Sequence, residues 1–331
     1  MKKLPVLAFF LLASLSLVFA WGTWGHQHIN RAALFALPDE MRPFFYNHID
    51  YLTEEAVGPD LRKYSLNDRA EYPRHFIDLE SYDNLLTDSL MPTNAEIRNR
   101  FDEKYLQQSG ILPWYIQEMT EKLTNAFREK RKAEILFLAA DLGHYIGDAH
   151  MPLHTAINHN GQITGQIGIH AFWEAQLPEL FGETYNLNTG NAKYIDNINK
   201  EIWKIIWTSH MLADSLLAID RRLKAGLDKS LIYQLDSSGN IKKNKFNDLV
   251  HSLEYSKKYH AALNGMIERQ LRGAISETAD FWFTAWVNAG RPDLNELDPA
   301  DLTERNRKNY QRERNIWKKG KLSGLKPDLE F

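Results

Sequence analysis

The residues best equipped for chemistry lie in one short run, HYIGDAHMPLH, residues 144–154. His144 and Asp148 stand at i and i+4, a spacing that stacks them on one face of a helix. An imidazole and a carboxylate so placed can bind one divalent ion, or one each of a close pair. Pro152 ends or bends that helix, because the residue before a proline is pushed out of the α region. His154 can then fold back toward the same cavity. The run GIHAFWE repeats the i, i+4 geometry with His170 and Glu174 on a second short helix. Two such pairs on two helices resemble the way helix bundles build metal centres in their cores. His144 also lies in the most apolar helical stretch of the chain. Burying an imidazole and a carboxylate there is costly unless they pair with each other, with metal, or with both.

The elements that must position these groups are helices. Apolar residues recur at helical spacing over 111–131, 134–149, 200–220 and 264–289, with Gly290 and Pro292 marking the last stop. Trp203/Trp207 and Trp282/Trp286 recur at i+4 and read as helix packing. No period-2 run bounded by hairpin turns interrupts the pattern. Gly, Asn and Thr concentrate at 158–168 and 182–191, which read as loops. The expectation is an all-α protein, a single multi-helix domain over residues 21–290. Residues 291–331 turn polar and basic and read as a tail, peripheral or partly disordered.

Lys2 and Lys3 precede an uncharged, mainly apolar run from Leu4 to Ala20, with Val18 and Ala20 at the −3 and −1 positions of a cleavage site. Residues 1–20 therefore read as a signal peptide, so that an exported, periplasmic or extracellular chain begins at Trp21. An uncleaved anchor is the alternative. No second long apolar run follows, which predicts no transmembrane segment in the mature chain. Losing Lys2 and Lys3 takes the net charge of the 331-residue chain from −3 to −5. That argues against a nonspecific basic clamp on nucleic acid. The chain has no cysteine, so an exported protein must draw stability from a large core or from bound metal.

Three further runs complete the pattern: WGTWGHQHINRAA at 21–33, AVGPDLRKY at 56–64 and YPRHFIDLE at 72–80. Together with 144–154 and 168–174 they resemble the superfamily that unites zinc-dependent phospholipase C with the single-strand-specific zinc nucleases (3′-nucleotidases). The resemblance implies a helical fold with three zinc ions in a cleft. It implies that Trp21 (through its free amine and carbonyl) and His26 hold one zinc, with Asp148 bridging to a second. Asp60, His75 and His144 would complete that second site, and His154, His170 and Glu174 would hold the third. The short Trp21-to-His26 spacing and HFID at 75–78 look nuclease-like. Glu174 in place of aspartate, the short loop after His154, and Met151 depart from the nuclease pattern.

Such a centre implies in-line attack on a phosphodiester by a zinc-activated hydroxide, with the third zinc stabilising the leaving alkoxide. Asp60 is the expected carboxylate for orienting or deprotonating the nucleophile, and Arg62 or Lys63 the expected cation for phosphate charge. Phe76 and Asp78 stand where the nuclease branch stacks on and hydrogen-bonds a nucleobase. The favoured substrate is single-stranded nucleic acid or a 3′-nucleotide, with no obligate protein partner. A phospholipase C cleaving glycerophospholipid head groups and a non-catalytic, zinc-stapled protein are the alternatives. His28, His48, His150, His210, His251 and His260 are expected to stand outside the site, and His159 in a loop near it.

Overall fold

The computed structural model describes residues 22–82, 92–244, 247–298 and 304–323. Residues 1–20, read above as a signal peptide, and Trp21 lie outside these. Helix α1 (Gly22–Ala36), α2 (Gly58–Tyr64), α3 (Leu112–Arg128), α4 (Lys132–Ala149), α5 (Ile198–Lys224), α6 (Met266–Asn288) and α7 (Glu304–Lys318) form the framework. Shorter helical turns join them.

Helix α4 is the axis of the core, because every residue from Leu138 to Ala149 is buried. A helix apolar all round has no solvent face and must be surrounded; α1, α3 and α6 pack against it. Trp282 of α6 donates to the Ala139 carbonyl at 2.9 Å, giving its buried indole nitrogen a partner. Local signals set the ends. Pro113 opens α3, and the Asn197 side chain caps α5 by accepting from the Lys200 amide at 2.9 Å. Met151, before Pro152, is extended at φ −83° and ψ 113°, which stops α4 and turns the chain back.

One close approach fixes α1 against α4. Asn30 donates to the carbonyls of Leu52 (3.2 Å) and Ala140 (3.0 Å), and a Cβ on Gly143 would lie 1.9 Å from its Oδ1. Asn30 is fully buried and cannot swing away. Gly143→Ala is therefore expected to destabilise the fold by about 1–3 kcal/mol through overpacking. Thermal unfolding measures this, at roughly 2–4 °C per kcal/mol for a domain of this order; an unchanged Tm would show that the helices separate freely.

Two features go beyond the sequence reading, each with a physical cause. Within the polar tail, α7 turns Tyr310, Glu313 and Trp317 inward at i, i+3 and i+7. Glu313 accepts from Arg31 at 3.2 Å and from Tyr46 at 2.9 Å, and Trp317 stacks on Phe35 at 6.1 Å. Averaged composition hides a stripe of three buried residues among so many exposed cations. Residues 233–251 form three isolated antiparallel bridges, Tyr233 with His251, Leu235 with Ile241 and Lys243 with Leu249. They are too short to print a period-2 pattern. Among the described residues no helix is long and apolar enough to cross a membrane.

Candidate metal centre

Six elements deliver the side chains that the sequence singles out. His26 comes from the first turns of α1, Asp60 from α2, and His144 with Asp148 from the last turns of α4. His75 ends a 3₁₀ turn (Tyr72–His75), and His154 sits in another (Pro152–Thr155) formed as the chain doubles back after Met151. His170 lies in one α-helical turn that runs into a π-helical turn, Phe172–Gln176, carrying Glu174. The expected second short helix is thus wider than ideal where it presents its carboxylate, a feature π turns often have at functional sites.

The groups converge in three sets: His26, His144 and Asp148; Asp60, His75 and His144; and His154, His170 and Glu174. Within each set the candidate ligand atoms lie within 4.8 Å of one another. Asp148 joins the sets. One oxygen stands 2.9 Å from His75 Nδ1 and 3.3 Å from His144 Nε2; the other stands 3.6 Å from His26 Nε2 and 3.2 Å from His154 Nδ1. All but His170 are essentially buried.

The tautomers test whether these residues suit a metal ion. His144 Nδ1 donates to the Ala56 carbonyl at 2.8 Å, so the neutral ring carries its lone pair on Nε2. That Nε2 faces His75 Nδ1 at 3.2 Å. His170 Nδ1 donates to the His159 carbonyl at 2.9 Å, leaving its Nε2 lone pair 3.3 Å from His154 Nε2 and 3.1 Å from Glu174. His26 and His144 stack with centroids 3.8 Å apart, and neither nitrogen of His26 has a hydrogen-bond partner among the described residues. Converging lone pairs and buried carboxylates are an arrangement completed by cations. The donor set, imidazole and carboxylate without thiolate, suits zinc used as a Lewis acid. A Cβ on Gly147 would lie 3.1 Å from His26 Nδ1, so glycine there lets α1 approach α4.

Electrostatics agree. Burial and the neighbouring His144 hold His26 well below the usual histidine range. Burial works against protonating His144, yet Asp148 and Asp60 lift it to about 9. Burial likewise opposes an ionised Asp148, but His144 and His154 keep it well below the usual carboxylate range. Without metal, these charges favour a proton on His144 beside an ionised Asp148.

The sets open onto a cavity of about 570 Å³ lined by His75, His154, His170 and Glu174 together with Lys63, Phe76 and Asp78. The S1/P1 nuclease family model matches residues 21–275. The chain belongs to the S1/P1 nuclease family. S1/P1 nucleases are zinc-dependent hydrolases acting on phosphodiester bonds, within the zinc-dependent phospholipase C/nuclease superfamily, and this S1/P1 chain shares their all-α fold. No curated protein matches the chain.

In this S1/P1 nuclease the two candidate cations part company. Lys63 lines the cavity; burial lowers its pKa, but Tyr64 and Asp60 raise it further, so it stays charged. Arg62 instead donates to Glu71 at 3.0 Å and to Asp141 at 2.5 Å. Glu71 also faces His75 Nε2 at 3.6 Å and so orients that ring. Sequence reasoning missed Glu71, although its i, i+4 spacing to His75 repeats the signal used elsewhere. His28 and His150 turn away, each donating from Nδ1 to the carbonyl four residues back, at 2.6 and 2.9 Å. His159 lines the cavity. So do Tyr64, Tyr72, Gln108, Asn244 and Asp248, which carried no sequence signal.

Proposed function

We propose that this S1/P1 nuclease is exported and cleaves single-stranded nucleic acid or 3′-nucleotides with three zinc ions. Trp21, His26, Asp60, His75, His144, Asp148, His154, His170 and Glu174 are the proposed ligands. The observation that carries the reading is the gathering of three ligand sets around one buried carboxylate, Asp148, beside a cleft lined by His75, His154, His170 and Glu174 that also holds Phe76 and Asp78. When bound, such ions supply Lewis-acid activation of water and neutralisation of phosphate charge. Asp60, buried with Oδ1 3.6 Å from His75 Nδ1, orients the attacking water and takes its proton. The Lys63 ammonium neutralises a phosphate oxygen, whereas Arg62, already bound by Glu71 and Asp141, braces the wall behind.

Phe76 offers a half-buried ring for a base to stack on, and Asp78 offers a carboxyl beside it. Gly110 sets that ring: its φ is +81°, and a Cβ there would lie 2.1 Å from the Phe76 carbonyl. Phe76→Ala is expected to raise KM on a short single strand roughly tenfold or more, at ~1–3 kcal/mol for base stacking. Burial, assisted by Glu80, pushes Asp78 up to about 7. Below that pH the carboxyl is neutral and can donate; above it, it only accepts. KM for a base offering donors should therefore fall as pH rises through 7, and Asp78→Asn should flatten that profile.

The deciding assay sets zinc-loaded protein against single-stranded DNA, a 3′-nucleotide and phosphatidylcholine side by side. Turnover of the first two supports the proposal. Turnover of phosphatidylcholine alone would make the chain a phospholipase C, and turnover of none would leave the zinc a structural staple.

A further inference from the structure

A strongly basic surface lies far along α1 from the metal centre. Residues 304–321 carry eight lysines and arginines against two glutamates, in a chain whose net charge is −3. One of those glutamates, Glu313, is buried against Arg31 and Tyr46 and faces Arg312 of the outer face at 3.8 Å, so it offsets only part of that charge. Between residues 306 and 323 no acidic side chain is exposed, while Arg312, Lys318, Lys319 and Lys321 all are. The ridge borders a cavity of about 450 Å³, lined by Arg42, Arg314, Lys318, Asp39, Phe283 and Trp317. Asp39 accepts from both Arg42 and Arg314, which leaves the lining net positive. Arg42 is 7% exposed, and its Nε has no hydrogen-bond partner among the described residues. The family match covers residues 21–275 and does not reach the ridge.

We propose that α7 and its cavity form a second binding site for single-stranded nucleic acid, separate from the catalytic cleft. The inference rests on the nuclease reading above. Trp317 stacks on Phe35, nine residues beyond His26 on α1, a separation of about 14 Å at 1.5 Å per residue. A strand several nucleotides long spans that gap, and a dinucleotide does not. The ridge therefore gives an otherwise acidic enzyme a grip on long substrates through phosphate contacts that release counterions. Local positive charge matters here because the rest of the molecule repels a polyanion.

The test uses the full zinc-loaded chain and the variant Arg312→Gln/Lys318→Gln/Lys319→Gln/Lys321→Gln. A labelled 20-mer of phosphorothioate oligo(dT), which resists cleavage, is titrated by fluorescence anisotropy. The variant is expected to bind it at least about tenfold more weakly at 50 mM salt. Its slope of log K against log salt should be shallower by about 3, the value for four single-strand contacts at ~0.7 each. Dinucleotide cleavage, which never reaches the ridge, serves as the check on folding and should match wild type. Equal affinity and equal slope would overturn the proposal. So would ridge-dependent retention on phosphatidylglycerol vesicles with unaltered 20-mer binding, which would make the ridge a membrane contact. Anisotropy needs no turnover, so a wild type that binds through the ridge yet cleaves nothing would sink the nuclease reading alone.

Discussion

Asp148→Asn is expected to lower phosphodiester cleavage by about a thousandfold or more and to reduce the metal content of the purified protein. One carboxylate stands within 3.6 Å of four imidazoles, those of His26, His75, His144 and His154, and all five side chains are buried. An amide keeps the volume but removes the negative charge and puts an N–H₂ donor where two lone pairs stood. Two ion sites would lose their shared anion at once. A Lewis acid at a phosphoryl centre is worth several kcal/mol, and ~4 kcal/mol is a factor of about a thousand in rate. Asp141→Asn is the control, since Asp141 lies two turns earlier on the same helix, is equally buried, and binds Arg62 instead. It should keep its metal. Elemental analysis and kcat on both variants decide the matter; an Asp148→Asn protein with full zinc and full rate would remove this carboxylate from the chemistry.

The sequence made this centre legible where ligands share a helix face. His144 with Asp148, and His170 with Glu174, are readable because helical spacing converts directly into proximity. His26, Asp60 and His75 are not local to either pair; only the resemblance to a family brought them in, and the fold now sets them beside Asp148. What stayed hidden depends on geometry that spacing does not encode. The carbonyls of Ala56 and His159, which set the tautomers of His144 and His170, belong to residues whose side-chain type is irrelevant to that role. Arg62 and Lys63 are neighbours with equal claims in sequence, yet one helical step of about 100° sends the first into carboxylates and the second into the cleft. The overall helical fold was readable from periodicity because α4, α5 and α6 are long. Helix α7 was not, since its buried stripe contributes three side chains to a stretch dominated by charge.

Removing divalent metal with a chelator is expected to abolish activity and to lower Tm by on the order of 10 °C or more. An ion that binds only the folded state, at a thousand times its Kd, stabilises by about 4 kcal/mol. At roughly 2–4 °C per kcal/mol for a chain of this order, one lost site accounts for that shift and three would exceed it. Losing the ions also leaves buried imidazoles and carboxylates facing one another with only a proton on His144 as counter-charge. The pH dependence has a definite sign. Burial resists a proton on His144, but Asp148 and Asp60 raise its pKa to about 9 in the metal-free chain. A raised folded-state pKa stabilises fully below the unfolded value of ~6.5 and is lost as pH climbs through about 9. Protonation therefore props up the stripped protein at pH 6 and no longer does so near pH 9. Metal binding runs the other way, because its ligands must be deprotonated. The difference in Tm between metal-loaded and chelated protein should widen from pH 6 to pH 9. Differential scanning fluorimetry at fixed ionic strength measures it directly. A gap that narrows with rising pH, or no gap at all, would mean these nine residues are not a metal centre.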